Sequence, residues 1–106
     1  MQLKKRGNGP DFVIVAVRYD LERTHIIAVM AHEFDGETVL PEKEYDRMEV
    51  LVALRAGMTV VTAGRDSDDR ICHHADVEKF PREGKLFIRT VGNEHQCDNL
   101  GELPEF

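Results

Sequence analysis

Asp46-Arg47-Met48-Glu49-Val50-Leu51-Val52-Ala53-Leu54-Arg55-Ala56-Gly57 decides the fold, because here the chain reads as a helix. Asp46 followed three residues later by Glu49 has the spacing of a capping box, which satisfies two backbone donors at a helix start. Met48, Leu51, Val52 and Leu54 fall on one broad face at helical spacing. Gly57 stands just past the last periodic residue, where a left-handed closing residue is wanted. The spacing predicts a helix over 47–56. With no second helix to pack on, its apolar face must lie on a sheet.

Working outward, the flanking segments read as extended. Phe12 to Val17 and His25 to Met30 are apolar runs of strand length, rich in Val and Ile. The short polar connection from Tyr19 to Thr24 makes them an antiparallel hairpin. Asp35-Gly36 and Pro41 punctuate a loop. After the helix, Met58–Thr62 is β-branched and strand-like, and Gly64 to Asp69 is turn chemistry. Arg70–Val77 reads as a return strand, Phe80–Gly84 as a turn and Lys85–Thr90 as the last strand. The expectation is an α+β fold, a single antiparallel sheet of about five strands with one helix on one face, in the order β-β-α-β-β-β. Residues 1–10 read as a loose basic arm ending at Gly9-Pro10, and 11–106 as a single domain. Alternation is poor in both opening runs, so both faces of these strands look apolar. The second face is then either covered by the tail and loops or offered to a homodimer or protein partner.

Composition narrows the class. At 106 residues, with 42% apolar and 32% charged residues, the chain is of single-domain length and ordinary globular make-up. No apolar window is long enough to cross a membrane. Lys4-Lys5-Arg6 has no signal-type apolar stretch behind it, so a cytoplasmic location is expected. The net charge of −6 argues against nucleic acid, whose binding is driven by Lys and Arg. Acid is concentrated between Glu33 and Glu49, with seven carboxylates against two basic residues, and four more acids follow Gly92. Such stretches read as solvated surface.

The C-terminal segment carries a second signal. The strand Leu86-Phe87-Ile88-Arg89-Thr90 is followed by a polar loop and Asp98-Asn99-Leu100-Gly101-Glu102-Leu103-Pro104. This pattern resembles the C-terminal signature of the DUF3892 domains, a family of small prokaryotic domains. Val17-Arg18-Tyr19 with His25-Ile26 resembles the family's opening hairpin. Tyr45-Asp46-Arg47 leading to Val50, Leu54 and Gly57 is similar to its helix. The resemblance spans most of residues 12 to 104. It implies a shared fold and leaves the function open, since no activity is established for the family. Physically, Leu100 and Leu103 are placed to pack on the sheet, Asn99 and Asp98 to bond backbone donors in an Asx-type turn, and Arg89 to pair with Asp98.

Two constellations could carry chemistry. Arg18, Arg89, Asp98 and Asn99 gather charged and amide groups at strand ends, as a small polar ligand would require. Cys72, His74, His95 and Cys97 form two residue-x-residue pairs, which place Cys72 with His74 on one strand face. Two thiolates and two imidazoles are a tetrahedral zinc set, although the spacing is that of no common zinc module. Free thiols are the plainer reading, since a Cys72–Cys97 disulfide is disfavoured in a reducing compartment. A Cys–His nucleophile finds no orienting group singled out by spacing. Glu33, Asp35 and Glu37 lack calcium-loop spacing, and Gly7-Asn8-Gly9 neither follows a strand nor opens a helix. No catalytic set is legible. The expected function is a small non-enzymatic binding or protein-interaction module, with a zinc-binding domain as the alternative.

Overall fold

A computed structural model of the chain describes residues 10–34, 38–65, 71–92, 97–101 and 103–106, and for residues 65 and 71–74 the backbone alone. The basic arm read over 1–10 therefore lies outside the described residues, apart from Pro10. The elements are β1 (Phe12–Tyr19), β2 (Ile26–Glu33), β3 (Lys43–Asp46), α1 (Arg47–Arg55), β4 (Val60–Arg65), β5 (Ile71–Arg82) and β6 (Lys85–Thr90). They form one six-stranded sheet in the order β3-β2-β1-β4-β5-β6.

The α+β class with a single helix holds, and two features of the expected sheet are corrected. First, Lys43–Asp46, which has no place in the expected strand order, is a strand. Its sequence has no apolar run, and what makes it a strand is its ladder to β2, from Ala28↔Asp46 to Ala31↔Lys43. Second, the sheet is mixed. Phe12–Ile14 of β1 pairs in parallel with Val60–Thr62 of β4, because α1 carries the chain from the β3 edge back over β2 and β1. Parallel neighbours require such a crossover.

The β1–β2 hairpin forms as expected, and its continuous apolar runs have a specific cause. Ladder register slips at Val15 in β1 and again at Ile27 in β2, each being one extra residue. A bulge shifts the alternation by one. Ile14 and Val17 thus reach the same core, as do Ile26 and Val29, although each pair is three residues apart. Val13, Val61 and Ala63 are buried on a second cluster with Val15 and Phe34.

The helix starts as its sequence requires. The Glu49 amide donates to Asp46 Oδ1 at 2.8 Å, and Glu49 Oε1 accepts from the Asp46 amide at 2.8 Å. The helix ends at Arg55 with Ala56 as the cap and Gly57 at φ +85°. Its buried face is not the expected one. Val50, Leu51 and Ala53 are buried, whereas Met48 and Val52 stand 60% and 56% exposed. Arg47 sets this rotation. Its side chain is drawn under the helix to a buried carboxylate, and Val50, Leu51 and Leu54 at i+3, i+4 and i+7 follow it down.

Strand boundaries elsewhere run longer than the sequence suggests. Gly64 and Arg65 belong to β4 and pair with Cys72 and Ile71. Phe80–Arg82, read as turn, completes β5, and the hairpin closes on Glu83 and Gly84, both at positive φ. Such a two-residue turn matches the strand twist. The tail then lies between β6 and β1: Arg89 bridges Asn99, and Val17 bridges Glu105. Backbone pairing therefore follows β1, β4, β5 and β6 and returns through the tail to β1, enclosing Ile14, Val17, Val77, Ile88, Leu100 and Leu103.

Replacing the capping carboxylate by D46A removes the acceptor for one helix donor. The expected loss is about 1 kcal/mol of unfolding free energy, read as a lower urea midpoint at unchanged slope.

Candidate functional site

The tail is held by one carboxylate. Asp98 is fully buried, and both of its oxygens are doubly engaged. Oδ2 accepts from the Ile26 amide and from Arg47 Nε, each at 2.7 Å. Oδ1 accepts from the Ile88 amide at 2.9 Å and from Arg47 Nη2 at 3.2 Å. Arg47 Nη2 also donates to the Leu86 carbonyl at 2.6 Å, and the Asp98 amide donates to Thr24 O at 3.1 Å. A carboxylate with its acceptor sites filled in this way has nothing left to offer a ligand.

The remaining residues of the expected polar site are likewise engaged in the fold. Asn99 Oδ1 accepts from the Gly101 amide at 2.9 Å, the expected Asx turn, and Leu100 and Leu103 enter the core. Arg89 does not take Asp98. Its Nε donates to Glu78 Oε2 across the β5–β6 ladder at 3.0 Å, and its guanidinium lies 3.9 Å over the Phe80 ring. Arg18 donates to the Phe106 carbonyl at 2.9 Å and covers the Phe106 ring. Asn99 thus adjoins Arg89 through the backbone bridge, while Arg18 attends the other end of the tail.

Of the sulfur and imidazole quartet, His95 and the side chains of Cys72 and His74 lie outside the described residues. Cys97 is described, and its thiol donates to the Arg23 carbonyl at 3.7 Å, beside the β1–β2 turn. Among the described residues no group of three or more His, Cys, Asp or Glu side chains is arranged to hold a metal. Asp35 and Glu37 also lie outside the described residues.

The β1–β2 turn is a second polar lock. Asp20 Oδ1 accepts from the Thr24 amide at 2.9 Å, and this bond holds the Asp20 carboxyl below the usual range. Arg23 forks onto Glu105 with two bonds of 2.7 Å, which likewise holds the Glu105 carboxyl low. Tyr19, whose hydroxyl accepts from the Leu100 amide, is pushed up by burial. These groups fasten the tail rather than face a cleft. A cavity between α1 and the sheet, beside Phe12 and Tyr45, measures about 20 Å³, room for roughly one water where ligand pockets run to about 300–1,000 Å³.

What remains is surface. On α1, Met48 and Val52 lie one turn apart, directly opposite the buried face. β3 forms an outer edge of the sheet, with Glu44 and Asp46 exposed on it and Glu42 exposed just before it. Helical spacing alone places Met48 and Val52 on the buried face, which hides this apolar pole. An Arg at the first helical position, where the backbone dipole disfavours a cation, was the signal for the true orientation.

A family model described as "Protein of unknown function (DUF3892)" matches residues 13–104. No curated protein and no solved structure matches the chain.

Removing the cation by R47M leaves a buried carboxylate without its counter-charge. The expected loss is about 3–5 kcal/mol, a large part of the roughly 5–15 kcal/mol typical of a domain, measured by urea unfolding. Acid titration followed by NMR should place Asp20 and Glu105 below the usual carboxylate range. Because folding lowers both, their stabilisation is complete above that range and fades as pH falls through their folded values. R23Q should move Glu105 back up and leave Asp20 in place.

Proposed function

The chain belongs to the DUF3892 family of proteins of unknown function, and on that premise we propose that it is a non-enzymatic module that docks another protein chain on the outer face of α1. The observation that carries this reading is the exposed pair Met48 and Val52 at the helix pole. A lone exposed apolar residue needs no explanation. An aliphatic and a thioether side chain stacked at i and i+4 on a helix's solvent face are the anchors that helix-in-contact recognition uses. Met adds adaptability to such a surface.

The inventory of polar groups supports the same reading. The shortest described charge pairs, Arg47 with Asp98 and Arg23 with Glu105, bind the tail to the sheet. Catalysis needs polar groups turned toward a cleft with room for a substrate. Here they are turned toward backbone donors and toward each other, and the cavity beside α1 holds about one water.

The simplest occupant of the pole is a second copy, which would bury Met48 and Val52 against their equivalents across a two-fold axis. Light scattering over about a hundred-fold range of concentration tests it. The wild-type mass should rise toward twice the monomer value. The double substitution M48E/V52E should hold the monomer mass at every concentration, with unchanged circular dichroism, since both positions are exposed. A wild-type mass that never leaves the monomer value removes the second copy as occupant, and equal association of the double variant removes the pole as the surface.

A further inference from the structure

We infer that the β3 edge accepts an extended segment of a different protein, one with basic side chains at alternate positions, and that it rejects a second copy of this chain. The inference goes beyond docking on α1, since it concerns a second surface and a different partner. Val17 donates to Pro104 O at 2.9 Å and accepts from the Phe106 amide at 3.1 Å, so its backbone faces away from β2. Val17 pairs with Val29, which therefore directs its own groups to its partner on β3, Tyr45. In an antiparallel ladder the direction alternates along the strand. Tyr45 and Lys43 are thus used by β2, and Glu44 aims its N–H and C=O outward. The Asp46 amide agrees: it turns to Glu49 and not to β2.

Side chains follow the same alternation. Tyr45 is on the helix side, its ring 5.6 Å from that of Phe12 and packed against the main core. Glu42 and Glu44 are on the opposite side, where Glu42 comes within 3.7 Å of His32. Among the described residues, Glu44 and, one step before the strand, Glu42 are turned away from β2, acidic and exposed, and Asp46 follows with its amide already held by Glu49. A two-fold axis through this edge pairs it antiparallel with itself and can only match outward-pairing residues with each other. The registers that overlap Glu42 and Glu44 set at least one of these carboxylates against its own copy or against the other. Like charges directly opposite destabilise a ladder, and opposite charges stabilise it.

A strand that places Lys or Arg opposite Glu42 and Glu44 meets attraction at the same positions. Between them, an aliphatic or aromatic residue falls beside Lys43 and Tyr45 on the helix side. Edge guards are commonly Lys; an acidic row guards against self-pairing equally well and leaves a matched basic strand admissible. The net charge of −6 adds long-range attraction for such a segment.

The test is an amide-shift NMR titration of the full chain with two synthetic peptides, alternating Lys-Val and alternating Glu-Val. The Lys peptide should shift amides of residues 38–46 and Glu49, and bind about tenfold or more tighter than the Glu peptide. The double substitution E42K/E44K, at exposed positions, should invert that preference. Equal affinity for the two peptides, or shifts centred elsewhere, overturns the inference. Silence with both peptides overturns it too, while leaving the docking-module reading to the behaviour of M48E/V52E.

Discussion

The carboxylate of Asp98 is the constraint on which the rest of the structure depends. It collects the first amide of β2, an amide in the middle of β6 and the guanidinium of the first helical residue at one fully buried point. Three elements distant in sequence are thereby fixed at one level of the sheet, and the tail that carries the carboxylate is fixed with them. No neutral residue fills this place. An amide would present N–H to donors on one side, and an aliphatic side chain would leave two backbone amides orphaned in the core. The charge is tolerated because its counter-charge is bidentate and the remaining lone pairs meet backbone N–H groups.

The same contact explains a local rule that the sequence breaks. A cation at the first position of a helix opposes the backbone dipole, yet Arg47 stands there. Asp46 and Glu49 offset the dipole at close range, and Asp98 compensates Arg47 from below. The helix accordingly rolls until Arg47 faces the sheet, which buries Val50, Leu51 and Ala53 and lifts Met48 and Val52 into solvent. Hydrophobic periodicity alone counts Met48 and Val52 as core, because it weighs apolar character and ignores the anchor that sets the rotation.

This marks where the sequence was readable. The capping box, the closing Gly57, the opening hairpin and the core role of Leu100 and Leu103 depend on local chemistry, and each formed as its residues required. What local chemistry does not hold was missed. The strand Lys43–Asp46 has no apolar signature and exists because β2 offers it a ladder. The bulges at Val15 and Ile27 turn an alternating pattern into an unbroken apolar run, which reads as two buried faces. The expected Arg89–Asp98 clasp does not form; the partner of Asp98 is Arg47, 51 residues away. A long-range ion pair leaves no spacing to read. The tail was visible as a signature, and its purpose became visible only in three dimensions.

The position of β3 links this constraint to what the surface can do. The strand is four residues long because α1 begins immediately after it, and α1 begins there because Asp46 serves as both last strand residue and helix cap. Arg47, next in line, is fixed by Asp98. The edge and the helix pole are therefore separated by one capped peptide junction, and Asp98 holds the residue that follows it. A partner meeting either surface meets a preorganised one, so little ordering cost is charged against binding. The far edge offers no equivalent. There Asn99 exchanges bonds with Ile88 and Thr90 of β6, so the tail already occupies that side. The tail that Asp98 locks in place thus closes one edge of the sheet, and among the described residues the other edge is β3.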